Sequence, residues 1–567
     1  MKHTRSYANV IRRWYRPVER ECLECHRTLR EAVAVSRRTV ITLEGVIKLN
    51  HAGYRCPDPQ CPGHHRTYRS VEADALALPH FTYGLDLVLL VGQLRLREHQ
   101  TVDEIHQEVL KRLEPLGVKI ARREILYLFE AYCTLLRASS EAKDDVEWLA
   151  QVQKNGGIIV SVDGIQPEKG FDQVYLVRDA LTGRVLAAEN VTSSETAVMK
   201  ALLAPVVALE VERKVKVLGT ITDAQESELR AVEELWPEVP QQVCQFHALR
   251  DASQGAYAAD KKIKTAMRQQ LQPKLRAVRQ QLKKQIPQAQ PEEAEQLAVL
   301  DDYAAGLVTA LNTDGLQPFT YAAVEAAQAL DEVEASEAVV GKKGAAVSQL
   351  VAQKRARLQT IVAERAAWAT QLTQVKRLHS WVLEVEHLLD GSWAEPGEGV
   401  SNATVGSRLD GWREQMAQLL SEGTLSELER ECLSECLQVL SNLRPYLVQC
   451  YDHKDFPRTN NAMERSIRAL KTQYRRVSGR KNWNAYLLRY GRYVAYAAWW
   501  EQDTAHRQQL ELRTGQLDRA RWRELRQETT TAHREQLTRF RFRHKRHAYL
   551  NSLEDRWAAA APPHSLP

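Results

Sequence analysis

Two aspartates stand where a metal-dependent site could be built. Asp163 ends the apolar run IIVSVDG and Asp223 ends the run VLGTITDA, which predicts both at carboxyl ends of strands that lie side by side. Ligands commonly bind at that edge of an α/β sheet, and paired carboxylates hold hard divalent cations such as Mg²⁺. Two structural alternatives stay open. Asp163-Gly164 is also typical of a hairpin turn, and Asp223 could cap the helix that follows it.

A third acid, Glu464, lies in a strongly basic segment. It is the only carboxylate within residues 456–500. If this segment is helical, Glu464 shares one face with a basic stripe formed by Arg468, Lys471 and Arg475. One acid inside such a stripe suits a metal ligand flanked by phosphate-binding groups. The alternative is a capping box begun by Asn461, in which Glu464 bonds the cap amide and pairs with a nearby arginine.

Four cysteines near the N-terminus are spaced like zinc ligands. The pairs are Cys22-x-x-Cys25 and Cys56-P-D-P-Q-Cys61. Between them the sequence alternates as a β-hairpin does, and two knuckles facing each other across a hairpin can offer four thiolates to tetrahedral Zn²⁺. A structural zinc ribbon is therefore predicted. His64 or His65 could replace one cysteine, and four unconnected buried thiols are the alternative.

The segment after the cysteines predicts three helices, beginning near Leu85, Thr101 and Ala121. The last two are joined by the turn P-L-G-V-K, and the basic entrance of the third helix holds Lys119, Arg122 and Arg123. Helix, glycine-containing turn and second helix are typical of a helix-turn-helix, which places its second helix in the major groove of DNA. An ordinary helical hairpin with a solvated basic end fits equally well.

The rest of the chain changes character twice. Residues 156–250 alternate β-branched runs with helical windows, which predicts a sheet of mixed direction with C-Q-F-H on its last strand. Residues 251–450 lose the strand signal and predict an all-helical block. The C-terminal segment is basic and aromatic, and its stretch TRFRFRHKRHAY alternates aromatic residues with Arg541 and Arg543. That pattern suits phosphate contacts beside stacking, and a solvated tail is the alternative.

Composition excludes several classes of protein. The chain has 567 residues, 44% of them hydrophobic, which is enough to form several cores. Its apolar runs are too short for a membrane span, and the N-terminus lacks an apolar signal core. An unexported protein with reduced cysteines is expected. The net charge of +6 conceals two basic ends, since residues 1–75 carry 14 basic and 8 acidic groups and residues 451–567 carry 24 and 12.

Together, these motifs resemble the RNase H-like DDE transposases of bacterial insertion sequences. The motifs are V-D-G on a first strand, T-D-A on a fourth, C-Q-F-H, a long helical insertion and N-N-A-M-E-R-x-x-R-x-x-K-x-x-x-R. The pair Cys244-x-x-His247 and the insertion before the glutamate resemble the branch shared with Mutator-like eukaryotic elements. The resemblance covers about residues 156–500, and the zinc ribbon and helix-turn-helix also fit the family layout.

The resemblance implies a multidomain α+β protein. Its parts would be a zinc-ribbon DNA-binding module (1–75), a helix-turn-helix domain (76–150), an RNase H-like α/β catalytic core in two pieces (151–250 and 451–505), an all-helical insertion between them (251–450), and a basic C-terminal helix and tail (506–567). The insertion holds four tryptophans, of which one could stack on a flipped base at the cut end: Trp368, Trp381, Trp393 and Trp412.

The resemblance also implies the chemistry. Asp163, Asp223 and Glu464 would be the catalytic triad, holding two Mg²⁺ or Mn²⁺ ions for DNA cleavage and strand transfer. The partners would be terminal inverted repeats and target DNA, bound by a homodimer in the bacterial cytoplasm, in association with the nucleoid and not with a membrane. The expected DNA contacts are Lys119, Arg122, Arg123, Arg468, Lys471, Arg475, Arg476, Arg541 and Arg543.

Other functions remain open from the residues alone. An RNase H-like structure-specific nuclease or resolvase would also use three carboxylates. A non-catalytic, transposase-derived DNA-binding regulator would not need them, so the intact triad argues against it. A zinc-ribbon RNA-binding protein is a third alternative.

Overall fold

The computed structural model describes residues 7, 9–167, 172–342, 347–395, 399–479 and 483–560. The chain forms two compact units. The first comprises Met1–Val217 and Asn461–Pro567, and the second comprises Leu218–Asn460. The fold is mixed α/β with small sheets, as the sequence predicts at this coarse level, and most described residues are helical. No helix in the described ranges combines the length and the apolar character that crossing a membrane requires.

The N-terminal strands of the first unit are β1 (Val10–Tyr15), β2 (Arg30–Ile41) and β3 (Val46–Arg55). Strand β3 is central, parallel to β1 and antiparallel to β2. The hairpin predicted between the cysteine pairs is therefore confirmed as β2 and β3. Its turn is closed by Thr42, whose hydroxyl donates to the carbonyl oxygen of Gly45 at 2.8 Å.

Five helices follow: α1 (Val71–Leu76), α2 (Leu85–Leu96), α3 (Val102–Leu113), α4 (Arg122–Ser139) and α5 (Val146–Asn155). The three predicted helices are α2, α3 and α4. Thr101 and Glu104 form a capping box at the start of α3, as the signal T-V-D-E indicates. Only the first turns of α4 are open to solvent, because most of the helix is buried against α2 and helices from the C-terminal part of the unit.

The burial of α4 bears on the helix-turn-helix interpretation. A recognition helix must present an exposed face to the major groove, whereas α4 offers only its basic entrance and Tyr127, which is 41% exposed. At that entrance Arg122 is paired with Asp103. The exposed part of α4 is thus its basic N-terminal entrance, which both the helix-turn-helix and the helical-hairpin interpretations allow.

The first unit also contains strands β4 (Ile158–Ile165), β5 (Gln173–Asp179) and β6 (Val185–Val191), each antiparallel to the next, followed by α6 (Thr196–Arg213). Asp163 lies inside β4, opposite Leu176 of β5. The strand continues through Gly164, so Asp163 neither ends the strand nor begins a hairpin turn. The prediction of a strand end was wrong because pairing with β5 extends the strand beyond the apolar run.

The second unit opens on a parallel pair of strands. Strand β7 (Val217–Thr222) begins at the unit boundary and pairs with β8 (Gln241–Val243), with α7 (Glu226–Leu235) between them and α8 (Gln245–Ala252) after them. The prediction that C-Q-F-H lies on a strand was wrong. Cys244 is the N-cap of α8, and His247 lies on the first turn of that helix.

The remainder of the second unit is helical. Its helices are α9 (Gln254–Gln285), α10 (Pro291–Asn312), α11 (Ala322–Lys342), α12 (Gln349–Ala363), α13 (Ala369–Asp390), α14 (Asn402–Ser421) and α15 (Glu427–Leu447). Within the described part of residues 251–450 there is no strand, as predicted. One apolar core runs through these helices and includes Val243, Ala248 and Leu249 from β8 and α8.

The C-terminal helices return to the first unit. They are α16 (Asn461–Ser478), α17 (Asn484–Val494), α18 (Ala497–Trp500), α19 (Thr504–Gly515), α20 (Arg519–His544) and α21 (Arg546–Ala560). Residues of α16 to α20 share one apolar core with α2, α3, α4, β5 and β6. Helix α16, which carries Glu464, packs against β4, which carries Asp163.

Candidate functional site

In the second unit, three side chains converge at the carboxyl ends of β7 and β8. The parallel register pairs Thr222 with Val243, so the next residues, Asp223 and Cys244, emerge side by side. His247 lies one helical turn after Cys244, and its Nδ1 is 2.7 Å from Asp223 Oδ1. The ligand atoms of Asp223, Cys244 and His247 all lie within 4.8 Å of one another. Asp223 does not cap α7, whose N-cap is Gln225.

The electrostatics of this cluster favour a charged histidine. Burial by itself lowers the pKa of His247, but hydrogen bonds to Asp223 and Cys244, together with the charges of both groups, raise that pKa to about 10. At neutral pH the imidazolium therefore places a positive charge 2.7 Å from Asp223 Oδ1.

Backbone groups from the end of the second unit cover the same cluster. The amide of Asn460 donates to Cys244 Sγ at 3.2 Å, and the amide of Gln245 donates to the carbonyl oxygen of Arg458 at 3.0 Å. Cys244 is fully buried, so it cannot act as an exposed nucleophile. Its position is that of a fixed packing and hydrogen-bonding group beside His247.

Two glutamines in this region were missed by sequence reasoning. Gln242 donates to the carbonyl oxygen of Leu447 at 3.0 Å and accepts from the amide of Gln449 at 2.8 Å. Gln245 donates to the same Leu447 carbonyl oxygen at 2.9 Å. They anchor the chain that returns from the helical block onto β8 and α8. Nothing in the local sequence signals this role, because the partners lie some 200 positions later.

In the first unit, the charges of Asp163 and Glu464 both act on the ammonium group of Lys471. Both carboxylates raise the pKa of Lys471, although burial and the charges of Arg468 and Arg475 outweigh them and leave that pKa below its usual value. Lys471 Nζ lies 4.8 Å from the ring centroid of Trp483. Asp163 is buried, with 5% of its surface exposed. The packing of α16 on β4 explains how residues 301 positions apart influence the same ammonium group.

The alternative interpretation of Glu464 fits the structure poorly. Helix α16 already includes Asn461, so this residue is not the N-cap that a capping box requires. Glu464 belongs to the first unit with Asp163, whereas Asp223 belongs to the second.

The predicted basic contacts are mostly solvent-exposed. Exposed members are Lys119, Arg122, Arg123, Arg468, Arg475, Arg476, Arg541 and Arg543, and Lys471 is half-buried. The alternating stretch at residues 538–549 spans the end of α20 and the start of α21, so neighbouring side chains point in different directions around a helix. Phe540 and Phe542 are 50% and 48% exposed.

The four N-terminal cysteines form a compact cluster. Cys22 Sγ lies 3.7 Å from Cys61 Sγ, and Cys25 Sγ lies 3.5 Å from Cys56 Sγ. Tetrahedral zinc with Zn–S bonds of about 2.3 Å separates its sulfurs by about 3.8 Å. These distances, and the presence of all four thiols within 4.8 Å of one another, fit a zinc ion.

The surroundings of the cluster shift the pKa values of two of its thiols in opposite directions. Hydrogen bonds from the amides of Cys25 and Glu24 lower the pKa of Cys22 to about 6, whereas burial raises the pKa of Cys61 to about 12. A bound cation would stabilise both thiolates. His64 Nδ1 lies 2.9 Å from the carbonyl oxygen of Cys56, and among the described residues no histidine belongs to the group of ligand atoms that the four thiols form. The structure thus favours four cysteine ligands over a histidine replacement.

The tryptophans of the helical block fall into two groups. Trp368, Trp381 and Trp412 are buried in its apolar core. Trp393 is only half-buried; its Nε1 donates to the carbonyl oxygen of Leu388 at 2.8 Å, and the Arg408 guanidinium lies 3.8 Å from its ring centroid. Of the four, Trp393 alone has a ring near the surface of the block.

Comparison with known proteins adds no relative. No protein-family model and no curated protein matches this chain. A function for this protein must therefore be inferred from the surroundings of Asp163, Glu464 and Asp223 and from the cysteine cluster.

Proposed function

We propose that this protein is a DNA transposase of an insertion sequence, which binds terminal inverted repeats and catalyses Mg²⁺-dependent DNA cleavage and strand transfer. The observation that carries the proposal is the packing of α16, which bears Glu464 and its basic stripe, against β4, which bears Asp163. Two acids from distant parts of the sequence thus share one basic environment. This arrangement supports a metal ligand set flanked by phosphate-binding groups.

The donor set suits the proposed ions. Asp163 and Glu464 offer carboxylate oxygens, which hard cations such as Mg²⁺ and Mn²⁺ prefer, and the resemblance supplies Asp223 as the third ligand. When bound, the ions would activate the attacking oxygen and stabilise the leaving oxygen of an in-line displacement.

The other roles in the proposed reaction would belong to side chains of this protein. His247 would orient the Asp223 carboxylate, whose Oδ1 lies 2.7 Å from His247 Nδ1. Arg468, Lys471 and Arg475 lie on the face of α16 that bears Glu464, where they would bind phosphates of the substrate strand. Attack by water or a DNA 3′-hydroxyl requires no covalent protein nucleophile.

Binding to DNA would use further modules. The zinc ribbon and the basic entrance of α4 would contact the inverted repeats, and the exposed arginines of α20 would bind phosphates, giving an affinity that falls steeply with salt. Two ends must be cut together, so a homodimer on DNA is part of the proposal, as is a cytoplasmic, nucleoid-associated location.

The test uses the full chain with labelled duplexes that contain the inverted repeats flanking its gene. Asp163→Asn, Asp223→Asn and Glu464→Gln should each abolish cleavage and joining in Mg²⁺ while leaving duplex binding intact. Glu147→Gln, which changes an exposed acid on α5, is the matched control and should react like the wild type. Cleavage by any triad variant would contradict the proposal, and cleavage of branched DNA without joining would favour a resolvase.

A further inference from the structure

A groove of about 650 Å³ runs along α16 in the first unit. It is bordered by the end of α2, the turn between β5 and β6, and helices α17 and α18. The face of α16 that lines it includes Arg465, Ala469, Thr472 and Arg476, which recur at helical spacing. This face adjoins the one that carries Glu464, and Arg468 belongs to the border between the two.

The rim of the groove is strongly basic. Its guanidinium groups belong to Arg178, Arg465, Arg468 and Arg476. Across the described ranges, none of these four forms an ion pair with a carboxylate. The acid that also lines the groove, Glu501, lies 3.7 Å from Arg507. The rim therefore presents guanidinium groups that form no ion pair with a carboxylate of the described residues.

The turn between β5 and β6 is shaped to hold one of these arginines. Arg178 Nε donates to the carbonyl oxygen of Gly183 at 2.7 Å, and a Cβ at Gly183 would lie 2.5 Å from Arg178 Nη2. Gly183 also has a positive φ of 83°, which favours glycine. Burial and the nearby charge of Arg465, opposed by Asp179, lower the pKa of Arg178. Because the guanidinium groups of Arg178 and Arg465 repel each other, an anionic ligand that offsets their charge would be favoured here.

The floor of the groove is apolar and made largely of small side chains. It includes Ala462, Ala469, Ala497, Ala498, Leu176 and Val185. An inorganic anion would use the rim but not this floor. A duplex would present its phosphates, but its bases are stacked inside and cannot reach the floor. A single strand offers both, because its phosphates can pair with arginines while its unstacked bases lie on apolar surface.

We infer that this groove binds single-stranded nucleic acid, with phosphates on Arg178, Arg465, Arg468 and Arg476 and bases on the alanine-rich floor. The inference rests on the proposed function for DNA as the substrate and extends it to a strand separated from its complement. It assigns Arg178, which lies outside the sequence motifs, and Arg465, which follows Glu464 in its motif, to nucleic-acid binding.

The test measures fluorescence anisotropy of a labelled oligothymidine and of a labelled hairpin duplex with the full-length protein. The double variant R465Q/R476Q should weaken single-strand binding about tenfold and reduce the slope of log K against log[salt] by about 1.4, which corresponds to two phosphate contacts. Ala469→Leu, which narrows the floor without changing charge, should weaken single-strand binding but leave that slope and duplex binding unchanged. Lys154→Gln removes an exposed charge from α5, outside the groove, and should bind like the wild type.

Several outcomes would overturn the inference. These are wild-type single-strand affinity in R465Q/R476Q, equal losses for single strand and duplex in Ala469→Leu, or equally effective displacement of oligothymidine by polyglutamate. Circular dichroism confirms that each variant is folded. Failure of the proposed function can be told apart from failure of this inference. A protein that binds oligothymidine through the groove but neither cuts nor joins DNA would support the binding site and contradict the transposase assignment.

Discussion

His247 Nδ1 lies 2.7 Å from Asp223 Oδ1, and this contact joins the first turn of α8 to the end of β7. It depends on the parallel register that places Asp223 beside Cys244. Mutation of a residue that orients a metal ligand commonly lowers metal affinity or activity by about 10- to 100-fold. The motif Cys-x-x-His thus gains a physical role, which is to fix one carboxylate of the proposed triad.

The first prediction concerns this contact. His247→Ala should lower the rate of DNA cleavage about 10- to 100-fold and raise the Mg²⁺ concentration needed for half-maximal rate. His247→Asn should recover much of the loss, because the asparagine amide can occupy the position of Nδ1 and donate to Asp223. Cleavage rates measured across a Mg²⁺ titration check both variants. Equal behaviour of the two would exclude an orienting role.

The second prediction concerns zinc. Cys61→Ser should remove bound zinc and open the N-terminal module to proteolysis, because it leaves the zinc with three of its four cysteine ligands. His64→Ala is the matched control and should retain zinc, since the four thiols form the group of ligand atoms without this histidine. Elemental analysis of the purified proteins gives the zinc content per chain. Zinc loss in His64→Ala would instead make this histidine a ligand.

The third prediction concerns a buried ion pair in the first unit. Arg184 and Asp145 are both almost fully buried and paired, and the guanidinium lies 5.0 Å from the ring centroid of Trp499 and 5.5 Å from that of Trp148. Arg184→Leu should cost about 3–5 kcal/mol, because it removes the nearer cation from the buried Asp145 carboxylate and leaves it with Arg513, 3.9 Å away. Adding Asp145→Asn should restore part of that stability. Chemical unfolding followed by tryptophan fluorescence measures both, and a harmless single variant would show that Asp145 finds another partner.

The fourth prediction concerns a close approach in the second unit. A Cβ at Gly219 of β7 would lie 2.3 Å from Phe456 Cε1, so Gly219→Ala must displace the ring and should cost about 1–3 kcal/mol. Combining it with Phe456→Leu should reduce that cost. Gly411 of α14 has nothing within 4 Å of its Cβ position, and Gly411→Ala should stabilise the protein by about 0.5–1 kcal/mol. Thermal unfolding compares the three variants, and equal effects of the two alanines would contradict the clash.

The sequence by itself determined the features that depend on local spacing. The cysteine pairs, the hairpin between them, the capping box at Thr101 and the all-helical block at 251–450 could be predicted because each is encoded within a few turns or strands. The basic stripe of α16 is likewise a matter of helical periodicity. The assignment of these features to a transposase came from a resemblance in motif order and remains a proposal.

Only the tertiary structure decided the features that depend on distant partners. Asp163 lies within β4 because β5 extends the pairing, and α4 is buried because helices more than 350 residues later pack on it. The groove beside α16 combines β5, α2 and α18 in the same way. Local periodicity specifies a helix or strand, but which face of it is covered depends on long-range packing that no short stretch of sequence encodes.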